Sequence, residues 1–270
     1  MIKAIVARIQ QGHRTSKYPS QLPTLPDRFR GAPRLDRDLC TEGCHQCADA
    51  CPTDALVLEP TRMSLDMGRC LFCTECTLAC PTGAITLTNE YRLAARRRED
   101  LVVDREFEPR RKALDEQMRR VFGRSLKLRQ VSAGGCNACE ADVNVLGTLV
   151  YDLGRFGIQM VASPRHADGS LVTGPVTENM SVALRKTYDA VPSPKIVIAV
   201  GACATAGGPY IGHSQVRNGV DTILPVDLYV PGCPPHPYTI LDGLLGLLDR
   251  LDEPRTPATA SHISKAENRP

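Results

Sequence analysis

The chain has 270 residues, a net charge of +3 and a 42% apolar share, which suits one or two globular domains. No run of 18 apolar residues occurs, so no segment reads as a membrane-spanning helix. Thirteen of the 33 Lys and Arg fall between residues 91 and 130, but seven acids are interleaved and no recognition motif accompanies them, which argues against nucleic-acid binding.

In chain order, residues 2–11 place Ile2, Ile5, Val6 and Ile9 on one helical face with Lys3 and Arg8 elsewhere. Such a helix suits a membrane surface, a membrane subunit or the protein's own body. The start has no long apolar core or small-residue cleavage site, so it does not read as a secretory signal. Residues 1–34 read as an arm, rich in Pro and Arg from residue 18 on. Residues 35–90 hold two cysteine runs, each followed by a short apolar stretch, 55–58 and 84–87, that reads as a strand. The basic segment 91–125 reads as a solvated connecting helix or a partner-docking strip. From 126 to 252 strand and helix patterns alternate. Strands are expected at 126–131, 158–161, 171–174, 195–201 and 226–230, and helices at 138–153, 177–189 and 236–251. That order predicts an α/β, doubly wound, flavodoxin-like and mostly parallel sheet after a smaller ferredoxin-like α+β unit. Residues 253–270 read as a polar, loose tail.

The twelve cysteines divide into three sets of four with none left over. The first two are Cys40, Cys44, Cys47, Cys51-Pro52 and Cys70, Cys73, Cys76, Cys80-Pro81. The runs are a duplication: Cys51-Pro52-Thr53-Asp54-Ala55-Leu56 recurs as Cys80-Pro81-Thr82-Gly83-Ala84-Ile85. Two Cys-x2-Cys-x3-Cys-Pro ends in tandem are the ligand pattern of two [4Fe–4S] cubes, the Cys before Pro serving the neighbouring cube. This predicts one cube on Cys40, Cys44, Cys47 and Cys80 and another on Cys70, Cys73, Cys76 and Cys51. The first run has one extra residue, giving Cys-x3-Cys, which a loop containing Gly43 can absorb. Zinc ribbons need neither the third Cys nor the Cys-Pro, and disulfides need an oxidising compartment.

Cys136, Cys139, Cys203 and Cys233 form the third set. All follow predicted strands, among glycines, in Gly134-Gly135-Cys136-Asn137-Ala138-Cys139-Glu140, Gly201-Ala202-Cys203 and Pro231-Gly232-Cys233-Pro234-Pro235. Sites in doubly wound sheets form at the carboxyl ends of strands, so three strand ends would deliver four thiolates to one edge and a third cube. Glu140 reads as a helix-start acid ahead of a proton relay. Arg165, His166 and Asp168 read as structural ion-pair residues on a loop.

Residues 126–252 resemble the small subunit of group 4, formate-hydrogenlyase-type membrane-bound [NiFe] hydrogenases, which is homologous to the cluster-bearing B subunit of respiratory complex I. The likeness lies in the three cysteine motifs, the segment from Arg155-Phe156-Gly157-Ile158 through Ser163-Pro164-Arg165-His166-Ala167-Asp168, and Thr173-Gly174-Pro175-Val176-Thr177. Residues 1–100 resemble the partner ferredoxin subunit, including Lys17-Tyr18-Pro19, Phe29-Arg30-Gly31 and Asn89-Glu90-Tyr91, so the chain looks like a fusion of two subunits. The resemblance implies an oxidoreductase subunit with no catalytic residue of its own. Cys136, Cys139, Cys203 and Cys233 would hold the cube proximal to a nickel–iron site in a separate large subunit. Membrane subunits of the same complex, and a formate dehydrogenase or ferredoxin as electron partner, would complete it on the cytoplasmic face of the inner membrane. The complex I relative has adjacent cysteines where this chain has Cys136-x2-Cys139, which favours hydrogenase over a complex I-like quinone or ferredoxin oxidoreductase without hydrogen chemistry.

Overall fold

The computed structural model describes residues 2–59, 62–109 and 113–251. The basic triplet 110–112 and the expected tail 253–270 lie outside the described residues. The chain starts with α1 (Ile2–Gln11) and an irregular arm that becomes a strand only at β1 (Pro33–Leu35). Next come α2 (Gln46–Asp49), β2 (Leu56–Leu58), β3 (Met63–Asp66), α3 (Glu75–Ala79), β4 (Ile85–Leu87) and β5 (Val102–Val103). The α/β part continues with α4 (Glu116–Phe122), β6 (Leu126–Ser132), α5 (Ala138–Val145), β7 (Ile158–Met160), β8 (Gly169–Thr173), α6 (Glu178–Ala190), β9 (Ile196–Val200), α7 (Ala202–Ala206), β10 (Leu228–Val230) and α8 (Pro237–Leu247).

Two small antiparallel sheets carry the cysteine runs. β1 pairs with β4, and β2 pairs with β3, which pairs in turn with β5. Period-2 burial sets them: Met63 and Leu65 point inward from β3 while Ser64 and Asp66 do not. The large sheet has the order β10-β9-β8-β6-β7, and all four of its pairings are parallel. Read from β7, this is the doubly wound 2-1-3-4-5 order, with its switch point beside β6. β8 and β9 are buried along their whole length, as a sheet covered on both faces requires. The expected α/β class is therefore the observed one.

Three local expectations are corrected. The helix expected over 138–153 stops at Val145; the chain turns through Gly147 and Thr148 and makes a single 3₁₀ turn at Leu153–Phe156 after Asp152 in a left-handed conformation. The described residues of 91–125 do not form one solvated connecting helix either. Residues 91–103 are woven into the body instead, with Tyr91, Leu93, Ala95, Leu101 and Val103 buried. Ala95 exchanges backbone hydrogen bonds with Tyr229, covering the free edge of β10, and Val102–Val103 supplies β5. Among the described residues of this segment, the one α-helix is Glu116–Phe122, started by the Asp115 carboxylate accepting from Met118 N–H. Some of the basic side chains here are structural anchors: Arg98 forms a bidentate pair with Asp66 at 2.7 and 2.6 Å. Thirdly, no ion pair forms at Arg165, His166 or Asp168 among the described residues; Arg165 and His166 are exposed, and the Asp168 carboxylate accepts from the Lys127 backbone N–H at 2.7 Å.

One apolar cluster runs through both parts, joining Leu56, Met63, Leu65, Met67 and Ile85 to Val131, Val172, Val197, Ala199 and Tyr229. Each fully buried Leu or Met there contributes roughly 1.5–3 kcal/mol. The cysteine-bearing sheets are thus held rigidly against the large sheet. A second cluster on the other face joins α5 and α8 to Tyr18, Tyr91 and Phe122.

Candidate metal centres

The two small sheets are built to one plan. Asp36, four residues before Cys40, donates its N–H to Ala84 O, four residues after Cys80, at 2.8 Å. Asp66, four residues before Cys70, donates to Ala55 O, four residues after Cys51, also at 2.8 Å. Each strand entering one run therefore pairs with the strand leaving the other run's Cys-Pro. This register carries Cys80 to Cys40 and Cys51 to Cys70. The electrostatics of the thiols agree. Burial, then the Cys80 and Cys40 thiols, pushes Cys47 up. Burial, and Cys51 and Cys73 among its neighbours, pushes Cys76 to about 11 and Cys70 to about 12. Cys51, Cys70, Cys73 and Cys76 line one small, mainly apolar cavity with Leu56, Leu65 and Phe72.

The duplication persists at the level of single hydrogen bonds. Ala55 N–H donates to Cys51 Sγ at 3.2 Å, and Ala84 N–H to Cys80 Sγ at 3.3 Å. Phe72 N–H donates to Cys70 Sγ at 3.3 Å. Burial alone would raise Cys80, but the Thr82 hydroxyl and the backbone N–H groups of residues 82–84 outweigh it and hold the thiol below its ordinary value. Gly43 takes a left-handed φ of 72° in the loop that accommodates the extra residue after Cys40.

The third set lies at the carboxyl edge of the large sheet, after β6, β9 and β10. Cys139 is on the first turn of α5, reached through Asn137 in a left-handed conformation, as Cys76 on α3 is reached through Thr74. Cys203 opens α7, and Cys233 follows β10. Burial, then neighbouring Cys233, Cys136 and Glu140, pushes Cys203 to about 12; burial followed by Cys203 and Cys233 raises Cys139. The backbone is shaped to the sulfurs: a Cβ at Gly201 would lie 2.5 Å from Cys139 Sγ, and one at Gly208 2.7 Å from Cys203 Sγ. Glu140 is buried, with Oε1 accepting from Ser132 Oγ at 2.5 Å and Thr173 Oγ1 at 2.7 Å.

All twelve cysteines are free thiols. Among the described residues, no three His, Cys, Asp or Glu side chains come close enough to share a single ion. Buried thiols that raise one another's pKa need positive charge to ionise together, which iron supplies. N–H···S donors and glycine-shaped backbone complete a donor set that fits iron–sulfur ligation. The sets also follow one another in space. Cys47 is among the thiols acting on Cys76, and Cys73 among those acting on Cys233. A cavity of about 610 Å³ lies at the second junction, bordered by Leu71, Phe72 and Cys233.

Fold and donor sets define an iron–sulfur oxidoreductase subunit. Residues 136–247 match the family described as NADH ubiquinone oxidoreductase, 20 Kd subunit, and residues 27–84 match a 4Fe-4S dicluster domain. The chain is 44% identical over 135 residues to the probable membrane-bound hydrogenase subunit mbhJ of Pyrococcus furiosus, covering 50% of this chain and 81% of that protein. It is 45% identical over 122 residues to the B subunit of the NADH-quinone oxidoreductase of Clostridium beijerinckii, covering 45% and 72%. A solved structure of the membrane-bound sulfane sulfur reductase, an archaeal respiratory membrane complex, matches 51% of this chain and 76% of its own at 33% identity and a TM-score of 0.44. The chain belongs to the complex I 20 Kd subunit family, with a 4Fe-4S dicluster unit ahead of it.

Proposed function

We propose that this chain is the electron-transfer subunit of a membrane-associated, formate-hydrogenlyase-like [NiFe] hydrogenase complex, carrying three [4Fe–4S] cubes in line. The division is an arm (1–34), a ferredoxin unit (35–90), a basic connector (91–125) and a small-subunit unit (126–252). The observation that carries the reading is the spatial succession of the three thiol sets: α2, which bears Cys47, packs against α3, which bears Cys76, and Leu71 and Phe72 of the second run share a cavity with Cys233. In it Cys40, Cys44, Cys47 and Cys80 hold the distal cube, Cys51, Cys70, Cys73 and Cys76 the medial one, and Cys136, Cys139, Cys203 and Cys233 the proximal one. When bound, the cubes supply reversible one-electron chemistry; the chain's residues fix their order, donate N–H groups to the ligand sulfurs and keep water from the buried thiols. Partners are a nickel-bearing large subunit at the proximal end, membrane subunits, and a formate dehydrogenase or ferredoxin at the distal end, on the cytoplasmic face of the membrane.

Anaerobically purified protein should contain about twelve irons and twelve acid-labile sulfides per chain. About eight of each would remove one set. The second reading, a complex I-like quinone or ferredoxin oxidoreductase without hydrogenase activity, is favoured by the equal similarity to the NADH-quinone oxidoreductase relative. Isolating the large subunit that co-purifies with this chain separates the two. Two Cys-x2-Cys pairs and bound nickel support the hydrogenase, and their absence gives the function to the second reading.

A further inference from the structure

α1 buries none of its ten residues. Ile2, Ile5, Val6 and Ile9 are 44–79% exposed. At 100° per residue they form one stripe, and Lys3 and Arg8 flank it on opposite sides. A ten-residue helix without tertiary support is marginal in water, so this helix needs a surface to cover its stripe. The sequence around it is one-signed: Lys3, Arg8, Arg14 and Lys17 occur before the first acid, Asp27.

The position of α1 relative to the body is also restricted. Ser16 N–H donates to Val150 O at 2.8 Å. Arg155 donates from Nη1 to Ser16 O and from Nη2 to Tyr18 O, both at 2.7 Å. Residues 12–15 alone separate this anchor from the helix, a span of at most roughly 14 Å. At the anchor, Leu149 and Val150 are themselves exposed. The apolar stripe and its basic residues are thus tethered by a short segment to the corner that carries a second exposed apolar pair.

We propose that this corner binds the surface of an anionic lipid bilayer. α1 lies in the plane of the interface with Ile2, Ile5, Val6 and Ile9 in the acyl boundary, while Lys3, Arg8, Arg14 and Lys17 meet anionic headgroups and Leu149–Val150 sits at the rim. The inference rests on the reading that the chain works beside a membrane, and it names lipid itself as the occupant of the stripe. Iron content and the identity of the large subunit are measured separately, so failure of the hydrogenase reading leaves this test intact, and the reverse.

The test uses the full-length, anaerobically purified chain with phosphatidylcholine vesicles, with and without phosphatidylglycerol. The expected result is co-sedimentation roughly tenfold stronger on the anionic vesicles and weakened by high salt. The Ile5→Asp/Ile9→Asp double variant should lose binding by roughly tenfold or more with its visible cluster absorbance unchanged. The chain contains no Trp, so Ile9→Trp provides a single reporter whose emission should shift to the blue when anionic vesicles are added. Unchanged vesicle binding by the double variant, or no vesicle binding by the unmodified chain, overturns the proposal. So does capture by isolated membrane subunits without any binding to protein-free vesicles, which gives the stripe to a protein partner.

Discussion

Glu140 places a carboxylate in the wall of the third thiol set, and two hydroxyls keep it there. A buried, unpaired carboxylate would neutralise by taking up a proton. Burial does push this group up, but the Ser132 and Thr173 hydroxyls and a backbone N–H outweigh it and hold it below its ordinary value. It therefore stays ionised at neutral pH, and its charge is among the causes, after burial, that raise Cys139 and Cys203. A helix-start position, expected from sequence, is only part of its role, because its oxygen also ties the ends of β6 and β8. Replacing it as Glu140→Gln keeps an acceptor for both hydroxyls and removes one negative charge. The midpoint potential of the proximal cube should then rise by roughly 50–100 mV, the effect of a unit charge several ångströms away at an effective dielectric near 20. A redox titration followed by electron paramagnetic resonance measures it, and an unmoved midpoint would show that the charge is screened from the site.

At the scale of elements, strand register supports the proposed change of partner by the Cys before Pro. The bonds Asp36 N–H to Ala84 O and Asp66 N–H to Ala55 O repeat one offset, so each sheet joins the start of one run to the end of the other. Paired replacements expose this crossing. Cys51→Ser alone should cost about four irons per chain; adding Cys76→Ser should cost no more, whereas adding Cys47→Ser should raise the loss to about eight. The reverse pattern, a loss of about four irons with Cys47→Ser added and about eight with Cys76→Ser added, would show that Cys51 and Cys47 share a cube. The strands leaving each Cys-Pro were legible because their apolar stretches repeat with the cysteines. β1, β3 and β5 were not: Pro33–Leu35 sits in a Pro- and Arg-rich arm, β3 alternates over only four residues, and β5 is two residues long. The connector was misread for a related reason. Its Arg-rich composition suggests a solvated face, yet Arg98 reaches Asp66 and Arg96 reaches Ala113 O, while the residues between carry the burial. The parallel strands of the large sheet were legible within two residues at every end, since a strand buried on both faces reads as a short apolar run. Helix 138–153 overran because its helical period continues through Gly147, where the chain turns.

At the scale of the whole molecule, the shared apolar cluster makes the three thiol sets one rigid array and not two beads on a linker. A Cβ at Gly68, two residues before Cys70, would lie 2.8 Å from the Thr205 methyl, two residues after Cys203, so the second and third sets approach through packed backbone. Fixed spacing is what a relay needs, because orientation and distance must survive thermal motion for each transfer. In the proposed assignment every cysteine serves one of three cubes, and the chain would carry electrons for a nickel site held by another subunit. Cys139→Ser should therefore separate two activities of the assembled complex. Hydrogen oxidation coupled to a distal acceptor should fall by roughly a hundredfold or more, since loss of a ligand should cost at least as much as the roughly tenfold to hundredfold loss from removing groups that merely hold ligands in place. Hydrogen–deuterium exchange, which occurs at the nickel site alone, should persist in the same preparation. Loss of both activities while the large subunit remains bound would mean that Cys139 contributes to the catalytic centre, and hydrogen evolution by this chain in isolation would place the catalyst within it.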